Sequence, residues 1–464
     1  MNIETLVGEA RPAVFWTDRD GGPQTASTLV GTAYADLVIV GSGFTGMWAA
    51  LQAAEAEPGR RIVVLEAEVA GFGASTRNGG FCEASLTHGL FNGLSHWPNE
   101  IRTLNRMGHE NLTELFATLD RYGIDAHAER TGQITFAVAP WQVDDLREGH
   151  AMSLEYGESS EFFEEEAARE LVNSPTYLAA NWDRDGGVMV DPGQLVWGLR
   201  RACESLGVVF HDNSRVIEIE STPTTLDVRT SAGLVTADRV LVATNAWAEP
   251  EKSIRNFVIP IYDHVLMTEP LDAAQMASVG WQGRQGLTDA GTQFHYYRLT
   301  ADDRILWGGY DANYYKGNGM GPSYEARTDS HELIARHFFD TFPQLEGLGF
   351  SHRWAGPIGS TSKFSAAFGT KHDNRLAWVA GYTGLGVGAS RWGARVGLDL
   401  LDGIDTERTQ LQMVRRKPMP FPPEPLRNAV IQFTRDQIAK SDHNEGQPTM
   451  WLRMLHKMGV GFDS

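Results

Sequence analysis

The feature that most constrains this 464-residue chain is a short apolar run, Leu37-Val38-Ile39-Val40, that ends directly in Gly41-Ser42-Gly43-Phe44-Thr45-Gly46. A run apolar at every position is the pattern of a strand covered on both faces. Thr45 to Glu57 then reads as a helix stopped at Pro58-Gly59, and Ile62-Val63-Val64-Leu65 reads as a second buried strand ending in Glu66. Strand, helix and strand within about 30 residues form a βαβ unit, and its right-handed crossover makes the two strands parallel.

The loop matches G-x-G-x-x-G. With Gly at 49 of 464 positions, about 0.5 matches are expected by chance, so the flanking strand and helix carry the reading. Gly41 permits the tight turn, Gly43 lets the backbone approach a pyrophosphate, and Gly46 lets the helix pack closely on the strand. Helix-terminal N–H groups and the helix dipole favour the anion. Glu66 lies about 25 positions beyond Gly41, near the interval of about 20 at which a carboxylate accepts from ribose hydroxyls, and it would repel a 2′-phosphate. A dinucleotide site follows. Soon after comes a second small-residue loop, Gly71-Phe72-Gly73-Ala74-Ser75-Thr76-Arg77-Asn78-Gly79-Gly80, able to supply further N–H donors to a pyrophosphate. Only one such fingerprint occurs, and there is no Cys-x-x-Cys.

Taken together, GSGFTG, the acidic strand end with Glu66-Ala67, and GASTRNGG resemble the FAD-dependent D-amino-acid oxidase family in its broad sense, which includes glycine oxidase, sarcosine oxidase and γ-glutamylputrescine oxidase. The resemblance runs over most of residues 36–402. GGVMVDPGQLVWGLRRACESLGVVFHDNSRVIEIE resembles the helix and strand that close the adenine site, with Val216 beside the adenine. VLVATNAWA resembles the family's Ala-Thr-Gly segment at Ala243, with Asn245 replacing Gly. HRWAGPIGSTSKFSAAFGTKHDNRLAWVAGYTGLGVGASRWGARVGLDLL resembles the C-terminal block, in which a Gly-rich turn (here Gly384-Leu385-Gly386-Val387) starts a helix aimed at the flavin. Many relatives carry His where this chain has Leu385, so that contact rests on backbone. The resemblance implies noncovalent FAD, although Cys82 and His88 follow the flavin loop.

The fold expected is α/β (α+β overall), a Rossmann-like FAD-binding domain interleaved with an antiparallel-sheet substrate domain. The segments expected are an N-terminal arm and first FAD-binding segment over 1–95, a helix-rich first substrate segment over 96–185 that includes a helical Glu161–Glu170, a second FAD-binding segment over 186–258, a second substrate segment over 259–350, a third FAD-binding segment over 351–417 and a Pro-rich linker with a helical tail over 418–464. Phe15 and Trp16 are expected to pin the arm to the body.

The family pattern implies oxidation of a C–N bond. Hydride passes to flavin N5, and water hydrolyses the imine, so no acid/base dyad is required. The substrate is a small-molecule amine or amino acid, and the electrons go to dioxygen or another acceptor. Candidate substrate residues are Tyr262 and His264, alternate positions on one strand, and Tyr297 and Arg298 in a His295–Arg298 cluster. Arg298 could grip a carboxylate in bidentate fashion. Trp354 could wall the pocket. Lys363 is a candidate cation for dioxygen reduction, as a lysine is in sarcosine oxidase relatives. No metal is expected, because the histidines and two cysteines show no ligand spacing.

Composition bounds the rest. Lys and Arg number 40 against 59 Asp and Glu, a formal net charge of −19, which disfavours nucleic acid as a partner. Two cysteines cannot make a disulfide framework, so a reducing, cytoplasmic setting is expected. No apolar stretch approaches a membrane span, and the N-terminus shows no leader pattern. An NAD-dependent dehydrogenase on the same loop, and a flavin-containing partner or RNA-modifying protein, remain as alternatives. Also open are the amine itself and whether the tail covers the active site. Acidic substrates would need a local cationic pocket; polyamines would not.

Overall fold

The computed structural model describes residues 2–248 and 251–461. Two eight-stranded sheets organise it. The first runs in the order Ala367–Lys371, Leu376–Ala380, Gly233–Val242, Gly31–Val40, Ile62–Leu65, Val209–His211, with Leu226–Thr230 and then Val216–Ser221 branching from Gly233–Val242. Gly31–Val40 pairs in parallel with both Gly233–Val242 and Ile62–Leu65. Its apolar runs are continuous because both faces are covered. Leu37, Ile39, Ile62 and Val64 face a core built with the helices Phe44–Ala56, Pro192–Ser205 and Gly386–Asp402. Val38, Val40, Val63 and Leu65 face the opposite layer with Val216, Leu226 and Val258.

The second sheet runs Phe350–Ser360, Ile259–Thr268, Ile305–Gly309, His295–Leu299, Gly286–Asp289, Gln133–Ala137, Ala179–Asp183, Glu161–Glu164. It is antiparallel throughout except where Gly286–Asp289 pairs in parallel with Gln133–Ala137. The period of two divides its residues. Ile134, Phe136, Leu287, Tyr297, Leu299, Ile305 and Trp307 pack against the helix Asp329–Thr341 through Ile334, Phe338 and Phe342. The intervening residues turn toward the first sheet.

Two local expectations are corrected. Glu161–Glu164 is a strand, paired with Ala179–Asp183, and the helix starts only at Glu165. Cross-strand pairing of Phe162 and Phe163 wins over the helix propensity of the glutamates. Phe350–Ser360, read as the start of a third α/β piece, is the edge strand of the antiparallel sheet, and the first-sheet strands resume at Ala367.

The N-terminal arm straps the two sheets together. Trp16, 2% exposed, donates its indole N–H to the Asn78 carbonyl at 2.9 Å, and Arg19 pairs with Asp191 at 2.7 Å. The tail carries two further helices, Leu426–His443 and Met450–Lys457. Among the described residues no helix is long and apolar enough to cross a membrane.

Candidate active site

Between the two sheets lies a cavity of about 1260 Å3. One end is the Gly-rich turn. Gly41 sits at φ +100°, a conformation side chains disfavour, and a Cβ on Gly46 would come within 1.9 Å of the Gly41 carbonyl oxygen. The chain therefore closes from strand to helix only with glycine at both places. Glu66 is fixed at the neighbouring strand end: its Oε2 accepts from the Ser42 N–H at 2.7 Å and Oγ at 2.9 Å, and its Oε1 accepts from the Glu68 N–H at 3.0 Å. Burial raises the Glu66 pKa above the ordinary carboxylate value, and these donors oppose that shift.

Gly41, Gly43, Phe44, Thr45, Glu66, Ala67, Gly73, Ala74, Ser75, Arg77, Asn78, Gly79, Val216, Ala243, Asn245, Gly384, Leu385, Gly386 and Val387 all line this one cavity. Ser42, Gly46 and Gly80 lie just behind it: Ser42 orients Glu66, and Gly80 packs under the Val190 carbonyl. Asn245 adopts φ +48°, a left-handed conformation that Asn tolerates, and its Oδ1 accepts from the Gly381 N–H at 2.8 Å. Thr45 donates to the Tyr382 hydroxyl at 2.9 Å, joining the first helix to the turn before the helix Gly386–Asp402.

Main-chain donors at both helix starts are free to meet a ligand. The N-cap residues Gly43 and Leu385 provide no side-chain cap. Among the described residues the N–H groups of Thr45, Gly386 and Val387 have no hydrogen-bond acceptor. Unsatisfied amides at two helix N-termini opening on one cavity fit a dianionic pyrophosphate at the first and an electron-rich ring edge at the second.

The other end is floored by the inward face of the antiparallel sheet. Gln133, Thr135, Asp263, Thr288 and Tyr296 line it, joined by Glu83 and by Tyr262 at the start of its strand; Asp289 borders it at the end of its strand, its carboxylate turned to the Tyr297 side. Tyr296 donates its hydroxyl proton to Asp263, whose other oxygen accepts from the Gly309 N–H at 3.1 Å. Burial pushes Asp263 up to about 6 against those hydrogen bonds. It likewise pushes Glu83 to about 7, with help from Asp183, and Asp289 to about 7. None of these three carboxylates, nor Asp145 and Glu148 elsewhere on the cavity wall, has an ion-pair partner among the described residues. The arginines of the wall are already engaged: Arg77 with Glu325 at 2.6 Å, Arg215 with Glu68 at 2.8 Å, and Arg435 with Asp311.

Of the candidate substrate residues, Tyr262 reaches the cavity, and its hydroxyl accepts from the Gly321 N–H at 2.9 Å. His264, Tyr297, Arg298 and Lys363 do not. His264 is buried edge-on against His331 with ring centroids 5.1 Å apart, and burial with that neighbour holds its pKa down at about 4. Tyr297 faces the helix side of the sheet, bonded to Tyr177 at 2.7 Å and Asp289 at 3.0 Å. Arg298 is 3% exposed; it donates to the Val190 carbonyl at 2.7 Å and lies 3.4 Å from Glu129. Lys363 donates to the Arg416 carbonyl at 3.2 Å. Trp354 is buried, donating to the Arg77 carbonyl at 2.9 Å. His88 lines the cavity, whereas Cys82 is buried outside it. Among the described residues no cluster could hold a metal ion. Sequence reasoning placed Tyr296 only within the His295–Arg298 cluster and missed Asp263, Glu83 and Asp289. Asp263 and Tyr296 adjoin named candidates, and only the face assignment was lacking.

Residues 36–400 match the family model DAO, described as FAD dependent oxidoreductase. The γ-glutamylputrescine oxidoreductase of Escherichia coli is 34% identical, over 82% of this chain and 86% of that protein. A probable oxidoreductase OrdL of Haemophilus influenzae is 28% identical, over 80% and 84%. Among solved structures, glycine oxidase from Geobacillus kaustophilus superposes with a TM-score of 0.67 at 20% identity, covering 81% of this chain and 96% of that one. Its likeness shows the shared fold. With the two helix-start cradles and the length of these matches, the chain belongs to the DAO family of FAD-dependent oxidoreductases.

Proposed function

We propose that the chain oxidises the C–N bond of an amine that reaches the site as a cation. FAD is the cofactor, and the nicotinamide alternative falls away. One observation carries the reading: the cavity that begins at the unsatisfied helix amides ends among carboxylates that lack counter-ions, while each wall arginine is paired. A protonated amine supplies the missing positive charge. A substrate recognised chiefly through a carboxylate finds no free guanidinium there. The name of the E. coli relative, γ-glutamylputrescine oxidoreductase, points the same way.

FAD held here would supply the two-electron acceptor for the hydride lost from the carbon beside nitrogen. The main-chain N–H groups of Gly43 and Thr45 would grip the pyrophosphate, Gly41 shaping the turn that lets it approach, and Glu66 would accept from the ribose hydroxyls. The contact is noncovalent. Gly386 and Val387 N–H groups, with the positive end of their helix, stabilise negative charge developing beside them. Asp263, with Glu83 on the same cavity wall, offers carboxylate oxygen to the ammonium and to the proton that must leave nitrogen before the C–H bond breaks. Values near 6 to 7 suit that exchange near neutral pH. Tyr296 keeps Asp263 oriented. The product imine then takes up water to give a carbonyl compound and ammonia or a smaller amine.

Anaerobic addition of primary and secondary amines, amino acids and 2-hydroxy acids to the flavin-loaded protein tests this. Amines should bleach the flavin. Bleaching by hydroxy acids alone, or by nothing in the panel, would refute the proposal.

A further inference from the structure

The tail adds a wall that the matched family region, which ends at residue 400, does not contain. Helix Leu426–His443 turns Val430, Ile431 and Ile438 into the cavity, and helix Met450–Lys457 with its following turn adds Trp451, Leu455 and Met458. Ile431 and Ile438, seven apart with Val430 beside them, and Trp451, Leu455 and Met458, four and three apart, mark one face of each helix, while Asp436, Lys440, Arg453 and Lys457 face solvent.

The tail is fastened on both sides of the cavity. On the substrate-sheet side, Arg435 pairs with Asp311 and donates to Asn313 at 2.8 Å, Tyr314 donates to Glu424 at 2.7 Å, and the Gln293 N–H donates to Asp442 at 3.0 Å. Opposite, Ser362 donates to the Met419 carbonyl at 3.0 Å, the Gly461 N–H donates to the Ser362 carbonyl at 3.0 Å, and His96 contacts the Gly459 carbonyl at 3.3 Å. A segment tied to both rims spans the opening between them.

We infer that residues 418–461 form a fixed cover whose two inward apolar helix faces make a subsite for the hydrocarbon part of the amine beyond its reacting carbon, so that the tail selects substrates by apolar length. This rests on the reading of the cavity as an amine site and adds where selectivity resides. The carboxylate floor takes the charged nitrogen, and the tail takes the chain that follows it. A short amine leaves the tail wall uncovered and gains nothing from it.

The test uses the full-length, flavin-loaded protein and amines whose nitrogen-bearing carbon has three carbon substituents. These have no hydrogen to lose there, so they bind without turnover. Calorimetric titration along a series of increasing straight-chain length should tighten Kd about fourfold per methylene, then level off where the subsite is full. Ile438→Phe should bring the plateau to shorter chains, and Ile438→Ala should move it to longer ones. Far-UV dichroism and flavin absorbance verify folding, and Ile431→Phe with Ile431→Ala replaces the pair if either Ile438 variant fails that check. A flat series, or a plateau unmoved in both folded variants, overturns the inference. In a protein whose flavin amines do bleach, that result leaves the catalytic reading standing; absence of bleaching strikes the catalytic reading itself.

Discussion

Replacing Asp289 by Asn isolates the cost of keeping an unpaired carboxylate buried in the sheet beneath the cavity. Asp289 accepts from the Tyr297 hydroxyl at 3.0 Å and from the His295 N–H at 3.2 Å, and the amide can keep both contacts by accepting from one and donating to the other. Burial raises the carboxyl from 3.8 to about 7. In the unfolded chain the group ionises above its ordinary value; in the folded chain it stays protonated until about 7. The folded state therefore holds the extra proton in that window, and stability falls as pH rises through it. At about 1.4 kcal/mol per unit, the loss is about 4 kcal/mol between pH ~4 and ~7, constant above. Asp289→Asn removes the titration. Urea unfolding of both flavin-loaded proteins across pH should show the variant's advantage near zero at pH ~4 and growing to about 4 kcal/mol at pH ~7. A difference independent of pH would refute the view that this carboxylate is buried without a counter-ion.

Three further outcomes follow from the same geometry. Gly46→Ala forces a Cβ to within 1.9 Å of the Gly41 carbonyl, so the turn must open, and the protein should purify pale with FAD affinity at least about tenfold weaker by titration. Tyr296→Phe removes the hydroxyl that lowers the Asp263 pKa; the acid limb of kcat/KM should move up by about one unit, and an unshifted profile would count against Asp263 as the amine-holding group. Arg298→Met leaves the Val190 carbonyl without its donor and should cost about 1–3 kcal/mol in urea unfolding, while KM for amines stays within about twofold because the guanidinium does not reach the cavity.

The first βαβ unit was legible because main-chain geometry dictates its residues: Gly at the left-handed turn, Gly where helix meets strand, a carboxylate at the strand end. All these constraints lie within some thirty positions. The substrate end resisted for a different reason. A strand's alternation shows that Tyr296 and Tyr297 face opposite ways, but the face that meets a helix is decided by Ile334 and Phe338, distant in sequence. Tyr297 therefore belongs to the core and Tyr296 to the cavity, and likewise His264 and Asp263 part company. Arg298 shares the Tyr296 parity yet is captured by the Val190 carbonyl, a partner more than a hundred residues away. The parallel pairing of Gly286–Asp289 with Gln133–Ala137 joins segments no local pattern connects. In the tail, the 3.6-residue stripes at Val430–Ile438 and Trp451–Met458 were present in the sequence. What they faced was not.

The most direct test is a single turnover under nitrogen: one equivalent of a reducing amine mixed with flavin-loaded protein, with bleached flavin, released carbonyl compound and released ammonia or amine counted together. The account predicts one of each per flavin. Bleaching without a carbonyl product, or a carbonyl without loss of nitrogen, would show that the bond broken in this cavity is not the one between carbon and nitrogen.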